Sequence, residues 1–107
     1  MKNGPSTHVA VLLGDPNLPY PYGPDGRFSD DDLEGARVLR ETLATLDGYR
    51  FTFLDDHEHL LTALRESSPD LVLNLCDTGF RNRWEHERNL PAYLELLDLP
   101  YTGADPM

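Results

Sequence analysis

Cysteine is almost absent: Cys76 stands alone among 107 residues. An internal disulfide is therefore excluded, and the fold must stand on packing alone. The expected setting is reducing and cytoplasmic. Basic residues are also scarce, with 9 Lys+Arg against 19 Asp+Glu and a formal net charge of -10. Such a surface repels phosphate backbones, and the one local basic cluster is Arg81, Arg83 and Arg88, so nucleic acid is disfavoured as a partner. No apolar run approaches the roughly 20 residues of a membrane span. The opening MKNGPSTH lacks the apolar stretch of a signal peptide, so secretion and membrane insertion are disfavoured too. Phosphate-binding fingerprints are missing: neither G-x-G-x-x-G nor G-x-x-x-x-G-K-[ST] occurs, which disfavours ATP binding by this chain on its own.

What remains fits one domain spanning residues 1–107, since about 100 residues can bury a real core. With 39% hydrophobic residues in periodic segments, global disorder is disfavoured. Thr7–Leu13 (T-H-V-A-V-L-L) is a short apolar run stopped by Gly14, the pattern of a strand covered on both faces. Gly14–Phe28 carries Pro16, Pro19, Pro21 and Pro24 and predicts a long loop. Ser29 followed by Asp30, Asp31 and Asp32 predicts a capped helix start, which accounts for the acidic run without a metal. Leu33, Ala36, Leu39, Leu43 and Leu46 give that helix its apolar stripe to about Leu46, with Gly48 at its left-handed end.

Arg50–Leu54 predicts a second strand, Asp56–Ser67 a second helix with Leu60, Leu61 and Leu64 inward, and Asp70–Cys76 a third strand. Asp77–Glu87 is a second long loop. Leu90, Tyr93, Leu94 and Leu97 mark a third helix, with Pro91 tolerable in its first turn, and Leu99–Thr102 a short fourth strand. The β-α-β-α-β-α-β order predicts a three-layer α/β/α fold on a parallel sheet of about four strands. A ligand crevice is then expected beyond the carboxyl ends of the first and third strands, where strand order reverses.

Several residues could carry chemistry there. His57-Glu58-His59 and Glu85-His86-Glu87 suggest metal ligands, but paired H-E-x-x-H spacing is absent, and solvated helix-end residues are the expectation. Cys76 reads as a small core residue. The loop D-T-G-F-R-N-R-W-E (77–85) mixes donors, acceptors and an aromatic at a strand end. Arg81 or Arg83 could grip a zwitterion or a carboxylate there. The same residues suit an arginine-acid network that pins the loop, and residue types alone leave both readings standing.

The block P-D-L-V-L-N-L-C (69–76), with Gly79, Asn82-Arg83 and Glu87, then L-P-A-Y-L-E-L-L (90–97), L-P-Y-T-G (99–103) and Asp105-Pro106, resembles the amino-terminal, pre-ATP-grasp domain of D-alanine:D-alanine ligase-like ATP-grasp enzymes. His8-Val9-Ala10-Val11-Leu12-Leu13-Gly14 looks like that family's opening strand and turn. The resemblance implies a Rossmann-like domain forming one wall of the substrate site of an ATP-dependent carboxylate-amine ligase, which makes an amide bond through an acyl phosphate. ATP and magnesium would be held by later domains absent from this chain, so the 107 residues alone are expected to be inactive and to hold no cofactor. On matching positions Asn74, Asp77, Gly79, Asn82, Arg83 and Glu87 would lie at or behind the substrate wall, joined by Thr78, Arg81 and Asp15 from the two loops.

The chain departs from the ligases proper in its proline-rich first loop, and it has C-D-T-G-F-R-N-R in place of H-G-x-x-G-E-D-G. A different amino-acid or carboxylate substrate is therefore expected. Asp98 stands after the third helix where glycine is usual, a position Asp tolerates. The alternative is a free-standing α/β module that binds a small ligand or a protein partner without catalysis; homodimerisation through an exposed apolar face is compatible with both. A phosphoacceptor receiver is disfavoured because no acidic pair follows the first strand.

Overall fold

The computed structural model describes residues 6–20, 23–76, 80–83 and 89–102. Four strands, β1 (Thr7–Leu12), β2 (Tyr49–Leu54), β3 (Leu71–Asn74) and β4 (Tyr101–Thr102), alternate with three helices, α1 (Asp30–Ala44), α2 (Leu60–Ser67) and α3 (Asn89–Leu96). All pairings are parallel and the order is β2-β1-β3-β4. The chain steps from β1 out to β2, then crosses back to β3 on the far side of β1. Strand order therefore reverses between β1 and β3, as expected from the sequence.

β1 is central, and Val9 to Leu12 are buried because each face of the sheet meets its own helical layer. On one face Ala10, Leu12 and Val72 pack with Leu60 and Leu64 of α2 and Leu90 and Leu94 of α3. On the other, Val9, Val11 and Leu13 meet Leu39 and Leu43 of α1 with Phe51, Phe53, Leu71 and Leu73. Each fully buried leucine contributes on the order of 1.5–3 kcal/mol, so the two clusters together fix the three-layer α/β/α arrangement. Along β2, Tyr49, Phe51 and Phe53 stack at 5.9 and 6.2 Å between ring centroids. Arg40 of α1 lies 5.3 Å over the Phe53 ring and pairs with Asp55 at 2.5 Å.

The helix boundaries follow local chemistry. The Ser29 hydroxyl accepts from the Asp32 N–H, and the Asp32 carboxylate accepts from the Ser29 N–H, a complete capping box. Pro91 sits in the first turn of α3, where an absent N–H costs nothing. Asp98 ends that helix in the left-handed region at φ 56°, and the Leu99 N–H returns to the Leu94 carbonyl at 3.0 Å.

Three expectations need correction. α1 ends at Ala44, not Leu46, because Thr45 and Leu46 turn back on Thr42 and Leu43. Its stripe is also narrower than its leucines suggest, since Leu33 and Leu46 stay exposed. α2 begins at Leu60, not Asp56, because residues 56–59 form a side-chain-stabilised turn that serves the site described next.

Candidate functional site

Both long loops leave the sheet at the reversal point. The loop after β1 holds its own shape: the Tyr20 N–H donates to the Gly26 carbonyl at 2.7 Å, the Gly23 N–H to the Tyr20 carbonyl at 3.0 Å, and Tyr20 meets Phe28 edge-on at 4.9 Å. Gly23 is required, since a Cβ there would lie 1.8 Å from the Arg27 carbonyl oxygen.

Asn82 ties this loop to the one after β3. The Asp15 N–H donates to Asn82 Oδ1 at 2.9 Å, and Asn82 Nδ2 donates to the Asp15 carbonyl at 2.6 Å. Asn82 is 1% exposed and Asp15 4%. The Asp15 carboxylate is itself engaged, accepting from the Asn17 N–H at 2.9 Å and from the His57 N–H at 3.0 Å.

His57 supplies the third tie. Its Nε2 lies 2.8 Å from the Leu13 carbonyl, and its Nδ1 accepts from the Arg81 N–H at 2.6 Å. A carbonyl can only accept and an N–H only donate, so the ring carries its proton on Nε2. The Cys76 sulfur lies 3.8 Å from that nitrogen and is buried, as expected of a core residue. The solvated helix end expected for His57 is thus overturned, because its ring, 1% exposed, closes the gap between three strand ends. Glu58 and His59 are exposed as expected.

Arg81 and Asn82 both adopt the left-handed region, at φ 59° and 57°. That conformation costs a non-glycine residue roughly 1–2 kcal/mol, and the His57 and Asn82 hydrogen bonds offset it. The tied loops and the 56–59 turn enclose a polar cleft of about 500 Å³ lined by Asp15, Asn17, Leu18, Asp56, Glu58 and Arg81.

Of the expected site residues, the fold brings Asp15, Arg81 and Asn82 together. Arg83 instead lines a separate groove of about 510 Å³ with Leu61, Leu90 and Tyr93, a groove that Arg81 also reaches. Asn74 closes the end of β3, its Oδ1 accepting from the Cys76 N–H at 3.1 Å. Asp77, Thr78, Gly79 and Glu87 lie outside the described residues. Asn17, Asp56, His57 and Glu58 join the site without having been expected there.

Asp56, Glu58 and His59 offer ligand atoms within 4.8 Å of one another, all exposed. Asp56 is already paired with His59 at 2.8 Å. That hydrogen bond holds the Asp56 carboxyl below its ordinary range and the His59 ring above its own. The pair is complete without an ion. α1 opens with three exposed acids, and its capping box occupies the Ser29 and Asp32 N–H groups, so that helix start offers no anion site. Among the described residues no helix is long and apolar enough to cross a membrane. No family model, curated protein or solved structure matches the chain.

Proposed function

We infer that the chain is the substrate-side, amino-terminal domain of an ATP-grasp carboxylate-amine ligase resembling D-alanine:D-alanine ligase. The observation that carries this reading is the polar cleft at the β1/β3 reversal, whose loops are fixed by buried Asn82 and His57. In α/β sheets that is where substrates bind, and the resemblance gives the cleft its chemistry. The domain supplies a wall that orients an amino acid or carboxylate. On the resemblance, ATP and magnesium would be held by domains outside this chain. A cytoplasmic setting keeps Cys76 a thiol.

The test uses the native gene product at its full translated length, with ATP, magnesium and a panel of amino acids and carboxylates. Phosphate release should accompany an amide product whose mass is that of its two substrates less one water. Absence of phosphate release across the panel overturns the reading. A free-standing binding module is the second reading, favoured by the fact that the cleft's loops are tied by hydrogen bonds within this chain alone. Its signature is ligand binding without ATP turnover.

A further inference from the structure

A second pocket, about 270 Å³ in volume, opens at the reversal point on the α1 side of the sheet. Leu13 and Gly14 reach it from the end of β1 and Leu75 from the end of β3. The Leu75 N–H ties these two chain ends together by donating to the Leu12 carbonyl at 3.0 Å. The proline-rich loop contributes Tyr20 and Phe28, packed edge to face, and α1 contributes Leu39. Gly35 of α1 also borders the pocket, and nothing in the packing requires it to be glycine. It lies inside the helix without a positive φ, and a Cβ there would meet nothing within 4 Å. Glycine weakens a helix relative to alanine, and α1 buries no residue that would compensate. What the missing side chain preserves is the open space of the pocket.

We propose that this pocket binds a compact aromatic ring carried by a neutral or cationic small molecule. A benzene ring fits an apolar cavity of about 150 Å³, so the pocket holds one ring with a short substituent. Tyr20 and Phe28 offer it both ring faces and ring edges, the contacts by which aromatic groups gain more than plain apolar burial. Charge at the rim decides which substituents are accepted. Asp32 lines the pocket, but its carboxylate accepts from the Ser29 N–H in the capping box and serves the helix, not an ion pair with the ligand. It keeps its negative charge there, with Asp30 and Asp31 beside it, and three acids outweigh the partial positive charge of a helix start. An aromatic carboxylate is therefore disfavoured. The inference stands apart from the ligase reading, since a ligase wall and a free-standing binding module accommodate it equally.

The experiment is a two-dimensional ¹H–¹⁵N NMR titration of the 107-residue chain with benzyl alcohol, phenethylamine, phenylacetate and butylamine, one at a time. Benzyl alcohol and phenethylamine should shift the amides of Gly14, Gly35, Ala36, Leu39 and Leu75, with phenylacetate weaker and butylamine, which has the charge without the ring, without effect. Gly35→Leu places a side chain in the open space at an exposed helical position. Its melting temperature should be no lower than that of the unaltered chain, because leucine favours a helix over glycine. Its affinity for benzyl alcohol should fall about tenfold or more, because little of the ring is then buried. Gly35→Ala, a smaller intrusion, should weaken binding by less. Four outcomes overturn the proposal: no shift at these amides with either benzyl alcohol or phenethylamine, butylamine binding as tightly as phenethylamine, phenylacetate binding as tightly as benzyl alcohol, or an unchanged affinity for benzyl alcohol in folded Gly35→Leu.

Discussion

Asn82 joins the two loops of the cleft through one side chain, accepting from the Asp15 N–H and donating to its carbonyl. Truncation to alanine leaves both groups buried without that partner and places a Cβ residue less tolerant of the left-handed region at φ 57°. Asn82→Ala should therefore lower unfolding free energy by about 1–3 kcal/mol in urea denaturation; an unchanged midpoint would show that the loops are held by other contacts.

His8 makes a prediction about pH. Burial, with the nearby Arg50 charge, lowers its pKa below the ordinary 6.5, only partly countered by Asp70. The folded state thus favours the neutral ring, which hydrogen-bonds the Thr52 hydroxyl at 2.8 Å. Its contribution is full above the unfolded value and shrinks as pH falls below about 6.5 toward the lowered folded value. The exposed His59, whose pKa is raised by Asp56, acts in the opposite sense, so the test is a difference. The loss of melting temperature between pH 7.5 and 5.5 should be smaller in His8→Gln than in the unaltered chain; equal losses would contradict the assignment. The role of His57 was not legible in the sequence, because a histidine three residues before a helical stripe gives no sign of which way its ring turns. Only the parallel placement of β1 and β3 supplies Leu13 and Arg81 as partners.

At the scale of elements, the strands and caps were the most legible parts. The apolar run of β1 predicted burial on both faces, and Ser29 with the following acids predicted the start of α1 at Asp30. The ends of α1 and β3 and the start of α2 were less legible, since side chains such as Asn74 and Asp56 divert backbone N–H groups into turns. The helical stripe overstated the burial of α1, which packs through Leu39 and Leu43 while Leu33 and Val38 remain exposed. A helix with so little burial leans on its cap and on surface pairs such as Arg37 with Glu34 and Glu41. Ser29→Ala should cost about 0.5–2 kcal/mol, and hydrogen exchange should quicken first in the opening turn of α1. Uniform quickening across the sheet would contradict a local role for the cap.

For the molecule as a whole, the alternation of strands and helices was enough to place the crevice, because right-handed crossovers and one change of direction leave few arrangements. The composition of the crevice was legible only in part. Asp15, Arg81 and Asn82 lie there, but two of these three serve the frame, and the acids that line the opening come from the β2–α2 turn. The central claim is that this chain is the substrate side of a larger ligase. Its most direct test is the intact mass of the native protein from its source: the account predicts a polypeptide several times 12.1 kDa with the nucleotide-binding domains following this one, and a native mass of 12.1 kDa would contradict it.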